Sequence, residues 1–133
     1  MTNAAKVNAI LEEAKVFYFL TTDGDKPKGR PFGFKLLVDD KIYFGCGTFK
    51  DVFKQLVANP NVEIVAFTGH SWMRYDGKAR VVKSEELLAK VREANPDLMA
   101  MYDKNGWEMG LYYLEDGHVE VKEMMTTVDA FDV

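Results

Sequence analysis

The stretch YFGCGTFKDVFKQLVANP, Tyr43 to Pro60, places Gly45, Gly47, Thr48 and Lys50 where an extended run passes into a helix-periodic one. Backbone N–H groups at a helix start, a hydroxyl and an ammonium are what an anion requires, and glycines let a backbone come close to it. The same residues have a structural account, because Thr48 followed three residues later by Asp51 fits a capping box. Both accounts stand on the residues alone. Other chemistry-bearing side chains are sparse. Cys46 is the only cysteine, which excludes an intramolecular disulfide and fits a reducing compartment. A lone cysteine is more often a small buried residue than a reactive thiol. His70 and His118, with that one cysteine, give no zinc spacing, so no metal is expected. Met99, Met101 and Met109 beside Trp107 read either as core or interface packing or as the lining of an adaptable pocket.

The chain that positions these residues has 133 amino acids, enough for one domain over 1–133 with a core of its own. Seventeen basic against twenty-one acidic residues give a net charge of -4, which argues against a nucleic-acid footprint over the whole surface and leaves room for a local basic pocket. Hydrophobic residues at 47% and charged residues at 29% are a globular balance rather than a disordered one. No segment approaches the roughly 18 apolar residues of a membrane span. Glu12, Glu13 and Lys15 interrupt the N-terminal apolar run, so no signal peptide is read there. The expectation is a cytoplasmic protein without membrane or nucleic-acid partners.

Along the chain, Val7, Ile10, Leu11 and Ala14 recur at helical spacing. VFYFLTT, KGRPFGFKLLV and KIYFGC read as successive strands of a meander, separated by DGDKP and by Asp39-Asp40. A helix follows from about Phe49 to Ala58, with Val52, Phe53, Leu56 and Val57 as its buried stripe and Pro60 as its stop. NVEIVAFTG and SWMRYDGKARVVK add two strands. Ser84 caps EELLAKVREAN, and PDLMAMYDKNGWEM reads as a short helix and a loop. GLYYLEDGHVEVKEM reads as a hairpin turning at Asp116-Gly117. Six or seven antiparallel strands with inserted helices predict a mainly β fold, either a small barrel or an open α+β sheet.

Three stretches in this order, GRPFGFKLLVDDKIYF, GTFKDVFKQLVANPNVEIVAF and SWMRYDGKARVV, resemble the FMN-binding split-barrel family of pyridoxamine 5'-phosphate oxidase and the general-stress-protein-like branch. The resemblance implies a six-stranded antiparallel Greek-key split barrel that forms a homodimer and holds FMN in clefts between subunits. It also implies a phosphate grip from the second strand and from the loop after the third. By position, that grip falls on Arg30, Lys35, Gly47, Thr48 and Lys50, and the cofactor edge on Trp72 and Arg74. An arginine fork, a lysine, a hydroxyl and helix-terminal N–H groups suit a phosphate well.

Each of these has another reading. Arg30 is also a strand charge that discourages edge pairing. Strict alternation puts Lys35 on the opposite face from Arg30, so Lys35 either shares its face through a bulge near Gly33 or is solvated. Trp72 and Arg74 share parity and also suit a dimer interface and its rim. The chain departs from the oxidase proper in having no arginine after Arg92 and TFKDVFK in place of a serine-arginine-lysine run, which argues against the vitamin B6 reaction. The functions carried forward are an FMN-dependent oxidoreductase acting on a small molecule, a flavin or small-ligand binder without turnover, and a haem or other flat-cofactor cleft involving His70 or His118.

Overall fold

The computed structural model describes all 133 residues. Helix α1 (Asn3–Ala14) starts at Thr2, whose hydroxyl accepts from the Ala5 N–H, and it buries Ala4, Val7 and Leu11 along one stripe. Strand β1 (Phe17–Asp23) alternates, with Phe17, Phe19 and Thr21 inside and Tyr18 outside. Gly24, at φ 64°, makes the turn into β2 (Lys26–Phe32). After Gly33 to Lys35 come β3 (Leu36–Val38) and β4 (Lys41–Gly47), joined by Asp39 and Asp40 with φ of 49° and 62°, as a tight primed turn requires. Helix α2 (Asp51–Ala58), β5 (Asn61–Phe67) and β6 (Trp72–Val82) follow. Helices α3 (Glu85–Ala94) and α4 (Pro96–Asn105) then lead to β7 (Met109–Glu123) and β8 (Thr126–Asp132).

All pairings are antiparallel, in the order β2-β1-β5-β6-β7-β4-β3, with β8 added to β7. The mainly β split-barrel architecture with inserted helices therefore stands, with eight strands: the short β3 and the terminal β8 join the expected six. The edges β2 and β3 do not pair with each other. Helix α1 packs on β3, β4 and β5, and Lys35 from the β2–β3 connection pairs with Glu12 of α1. The sheet's concave side holds one core built around Phe17, Phe19, Phe44, Ile64, Met73 and Tyr112. A second, smaller core of Leu87, Val91, Met99, Tyr102, Met109 and Leu111 lies where α3 and α4 cover the outer face of β4 and β7.

Three elements differ from the sequence reading. The successive-strand meander breaks after β2, since β3 pairs only with β4. Asp116-Gly117 does not turn the chain: β7 runs straight through it, and Asp76 to Lys78 on β6 faces His118 to Glu115, leaving one extra residue on β7. Asp116 takes φ 53° at this bulge, so the left-handed preference of the dipeptide is spent on a bend rather than a hairpin. The real turn lies at Met124-Met125, and the tail after it forms β8.

Candidate anion site at the start of α2

Cross-strand partners share a face of a sheet, and Arg30 stands opposite Phe19, a buried core residue. Arg30 therefore points into the concave side, toward α2. Its Nη1 donates to Thr21 Oγ1 at 2.8 Å and to the carbonyls of Phe19 and Lys28 at 3.2 and 3.3 Å. Its Nη2 donates to Gln55 Oε1 of α2 at 2.9 Å. Gln55 Oε1 also accepts from the buried Thr21 hydroxyl at 2.6 Å. The fork is thus fixed on two sides, while Nε and one Nη2 hydrogen have no protein acceptor. Burial lowers the guanidinium pKa, with Asp51 among the groups opposing that shift. Arg30 is held inward by its neighbours rather than standing as an exposed edge charge.

At the junction itself, Lys50 rather than Thr48 is the N-cap of α2, with φ -75° and ψ 150° and no side-chain cap bond. The Thr48–Asp51 capping box does not form. The Thr48 N–H donates instead to the Glu108 carbonyl at 3.0 Å, which fixes the loop on the strand end next to β7. The exposed Lys50 ammonium and an N-terminus without a side-chain cap therefore stand together. Gly47 has a local reason to be glycine: a Cβ there would meet the Phe49 ring at 2.5 Å. Gly45 likewise makes room for Met109 and Leu111. The two glycines first accommodate the protein's own side chains.

Cys46 lies buried at this end of β4. Burial pushes its thiol up to about 11, opposed first by the Tyr112 hydroxyl and then by the charges of Lys50 and Arg30. Arg30 meets α2 at Gln55, in its second turn, while Thr48 and Lys50 lie at the start of the same helix. The fully buried Tyr112 lies against Cys46.

The remaining residues lie elsewhere within one chain. Lys35 follows the end of β2, so strand alternation does not govern it, and its largely buried side chain is tied to Glu12. Trp72 and Arg74 share the outer face of β6, with the guanidinium 5.4 Å from the Trp72 ring centroid and Nε 2.9 Å from Glu63. Arg74 stands opposite Val65 on β5, on the face away from the core, whereas Arg30 is on the core face. His118 pairs with Asp132, and no group of three or more His, Cys, Asp or Glu is placed to hold a metal. Sequence reading missed Thr21 and Gln55, the residues that orient Arg30. Neither carries a local signal, because their role depends on α2 packing across β1.

A family model described as pyridoxamine 5'-phosphate oxidase matches residues 4–119. No curated protein matches the chain. Among solved structures, a NimC/NimA family protein from Clostridium acetobutylicum is 29% identical, with a TM-score of 0.88, over 98% of this chain and 92% of its own. A pyridoxamine 5'-phosphate oxidase-related, FMN-binding protein from Nostoc punctiforme is 16% identical, with a TM-score of 0.65, over 93% and 84%. The haem storage protein HutZ from Vibrio cholerae is 14% identical, with a TM-score of 0.63, over 86% and 90%. The last two likenesses concern the fold.

Proposed function

Because the chain belongs to the pyridoxamine 5'-phosphate oxidase family, we propose that it binds FMN and works as an FMN-dependent oxidoreductase on a small organic molecule. The observation that carries this reading is the Arg30 fork, held by Thr21 and by Gln55 of α2 with N–H groups to spare, together with the start of that same helix, which has Lys50 and no side-chain cap. This donor set fits a phosphate: two cations, a hydroxyl and free backbone N–H groups, all of them donors to an acceptor-rich dianion. Arg30, Lys50 and the Thr48 hydroxyl would hold the phosphate, the Thr48 N–H being bonded to Glu108 already; FMN, when bound, supplies the redox chemistry, and the chain supplies position and electrostatics. The free, buried thiol of Cys46 suits a reducing cytoplasm.

The reading also calls for a homodimer. Arg30 and Arg74 occupy opposite faces of one sheet, so one copy cannot turn both toward one ligand, and Trp72 and Arg74 come from a second copy. Lys35 joins the site only by leaving Glu12.

Titration of FMN and riboflavin into flavin-free protein tests the phosphate grip, with FMN expected to bind more tightly by at least about tenfold. Equal affinities would remove the anion-site argument. The absorbance spectrum of the purified protein is expected to be that of a flavin, and a haem spectrum would overturn the cofactor assignment. A bound flavin that no nicotinamide donor reduces would favour the binder without turnover.

A further inference from the structure

We propose that the cavity between the α3–α4 layer and the barrel is a binding pocket for a flat, apolar small molecule, neutral or cationic, and that this molecule is the organic substrate. The pocket itself stands on geometry; its assignment to the substrate rests on the flavin reading. The cavity measures about 670 Å³, within the roughly 300–1,000 Å³ of small-molecule sites. Its interior is lined by Val82, Leu88, Met99, Met109 and Leu111, and Trp107 forms a wall. That wall is built rather than loose: the Trp107 ring lies 5.1 Å from Phe49 and 5.5 Å from Tyr102, centroid to centroid. Met99 and Met109 give the lining thioethers that adapt to an aromatic shape.

The polar groups select charge. Arg92 and Asp103 both line the cavity and neutralise each other in a two-bond pair, Nη1–Oδ2 2.5 Å and Nη2–Oδ1 3.0 Å, which also fastens α3 to α4. What remains is Lys83 against Glu85 and Glu108, a net negative lining. An anionic occupant is therefore disfavoured and a neutral or cationic one accepted. This is the opposite preference from the start of α2, so the two sites take different ligands. They share a wall, because Thr48 of the GTFK stretch also lines the cavity. A molecule held here adjoins the loop assigned to the phosphate.

The test uses flavin-free full-length protein and two dyes of similar size, uncharged N-phenyl-1-naphthylamine and anionic 1-anilinonaphthalene-8-sulfonate, followed by fluorescence. The uncharged dye is expected to bind more tightly by about tenfold or more, and Leu88→Trp, which fills the cavity, to weaken it by a similar factor. Thermal denaturation checks that this variant folds. If it does not, Val57→Glu at the exposed rim is used instead and is expected to weaken the same dye. Glu85→Lys with Glu108→Lys should shift preference toward the anionic dye. Equal affinity for both dyes, or unchanged binding in the folded variants, overturns the pocket. Displacement of the dye by FMN would seat the flavin in the cavity and overturn its assignment to a substrate. FMN binding that persists in Leu88→Trp while the dye is lost supports two separate sites. Dye binding without any FMN binding keeps the pocket and refutes the flavin reading, so the two failures are distinguishable.

Discussion

Lys50 occupies the position where a helix most rewards a side-chain acceptor, yet it supplies a cation. Its dihedrals are those of an N-cap, and Ser, Thr, Asp or Asn there would accept from the first turn. A positive charge at a helix start also opposes the helix dipole. The position therefore sacrifices stability, and the phosphate grip gives a reason. Lys50→Asp is expected to stabilise the flavin-free protein by about 0.5–2 kcal/mol and to weaken FMN binding, read by thermal denaturation and by flavin titration on the same sample. A variant that gains stability and keeps its FMN affinity would remove Lys50 from the site. Arg30 has the opposite balance, since its fork satisfies Thr21 and Gln55 in the partly buried interior. Arg30→Lys keeps the charge but loses the planar two-sided grip, so flavin-free stability falls by about 1–3 kcal/mol together with FMN affinity.

At the scale of elements, α2 seats on the barrel because β7 gives way to it. Gly110 has the Phe53 ring where a side chain would be, with a Cβ only 2.3 Å from the ring, and its φ is not positive. The requirement for glycine is therefore one of space. Gly110→Ala is expected to destabilise by about 1–3 kcal/mol, and in the Phe53→Leu background to cost clearly less, as a double-mutant cycle by urea unfolding would show. The strand β8 is fastened differently, through His118 Nδ1 and Asp132 Oδ1 at 2.8 Å. The hydrogen bond to Asp132, aided by the charges of Asp76 and Glu120, raises the His118 pKa above its ordinary 6.5. A raised folded-state value means stabilisation that is full below the ordinary pKa and is lost as pH rises through the raised one. Compared with His118→Gln, the wild-type melting temperature should therefore be higher below the ordinary pKa of 6.5, with the gap closing as pH rises through the raised value. A gap that widens with pH would contradict the pair. These elements were unequally legible. Periodicity and Ser84 gave α3 its place, because helix signals are local. The start of α2 was misplaced because Thr48-Asp51 mimics a capping box, and only the Thr48 bond to Glu108, sixty residues on, draws the loop away from it. Asp116-Gly117 carried a correct conformational signal, a residue with φ 53°, in a strand that bulges instead of reversing.

For the whole molecule, order of motifs along the chain made the split barrel readable, while the pairing of distant strands did not follow from any local pattern. No segment of sequence says that β7 pairs with β4, β6 and β8 along different parts of its length. The convergence of Arg30 with α2 was hidden for the same reason, and so was the separation of Arg30 from Arg74 by the thickness of the sheet. That separation bears on assembly. On the outer face, Tyr18 stands opposite Val65 and Phe67 opposite Trp72, and Tyr18 and Phe67 are 52% and 63% exposed. These apolar side chains share one face with Arg74, whose charge is already met by Glu63. Burying this face against a second copy would remove apolar area from water without stranding a charge, and would bring Trp72 and Arg74 to the neighbour's surface. A homodimer is expected by sedimentation at low micromolar concentration. Phe67→Glu, at an exposed position that the fold does not need, should yield folded monomer with weakened FMN binding. A wild-type monomer that binds FMN tightly, or a Phe67→Glu monomer that binds it as well as the wild type, would mean that one copy holds the cofactor alone and that Trp72 and Arg74 serve the outer face only.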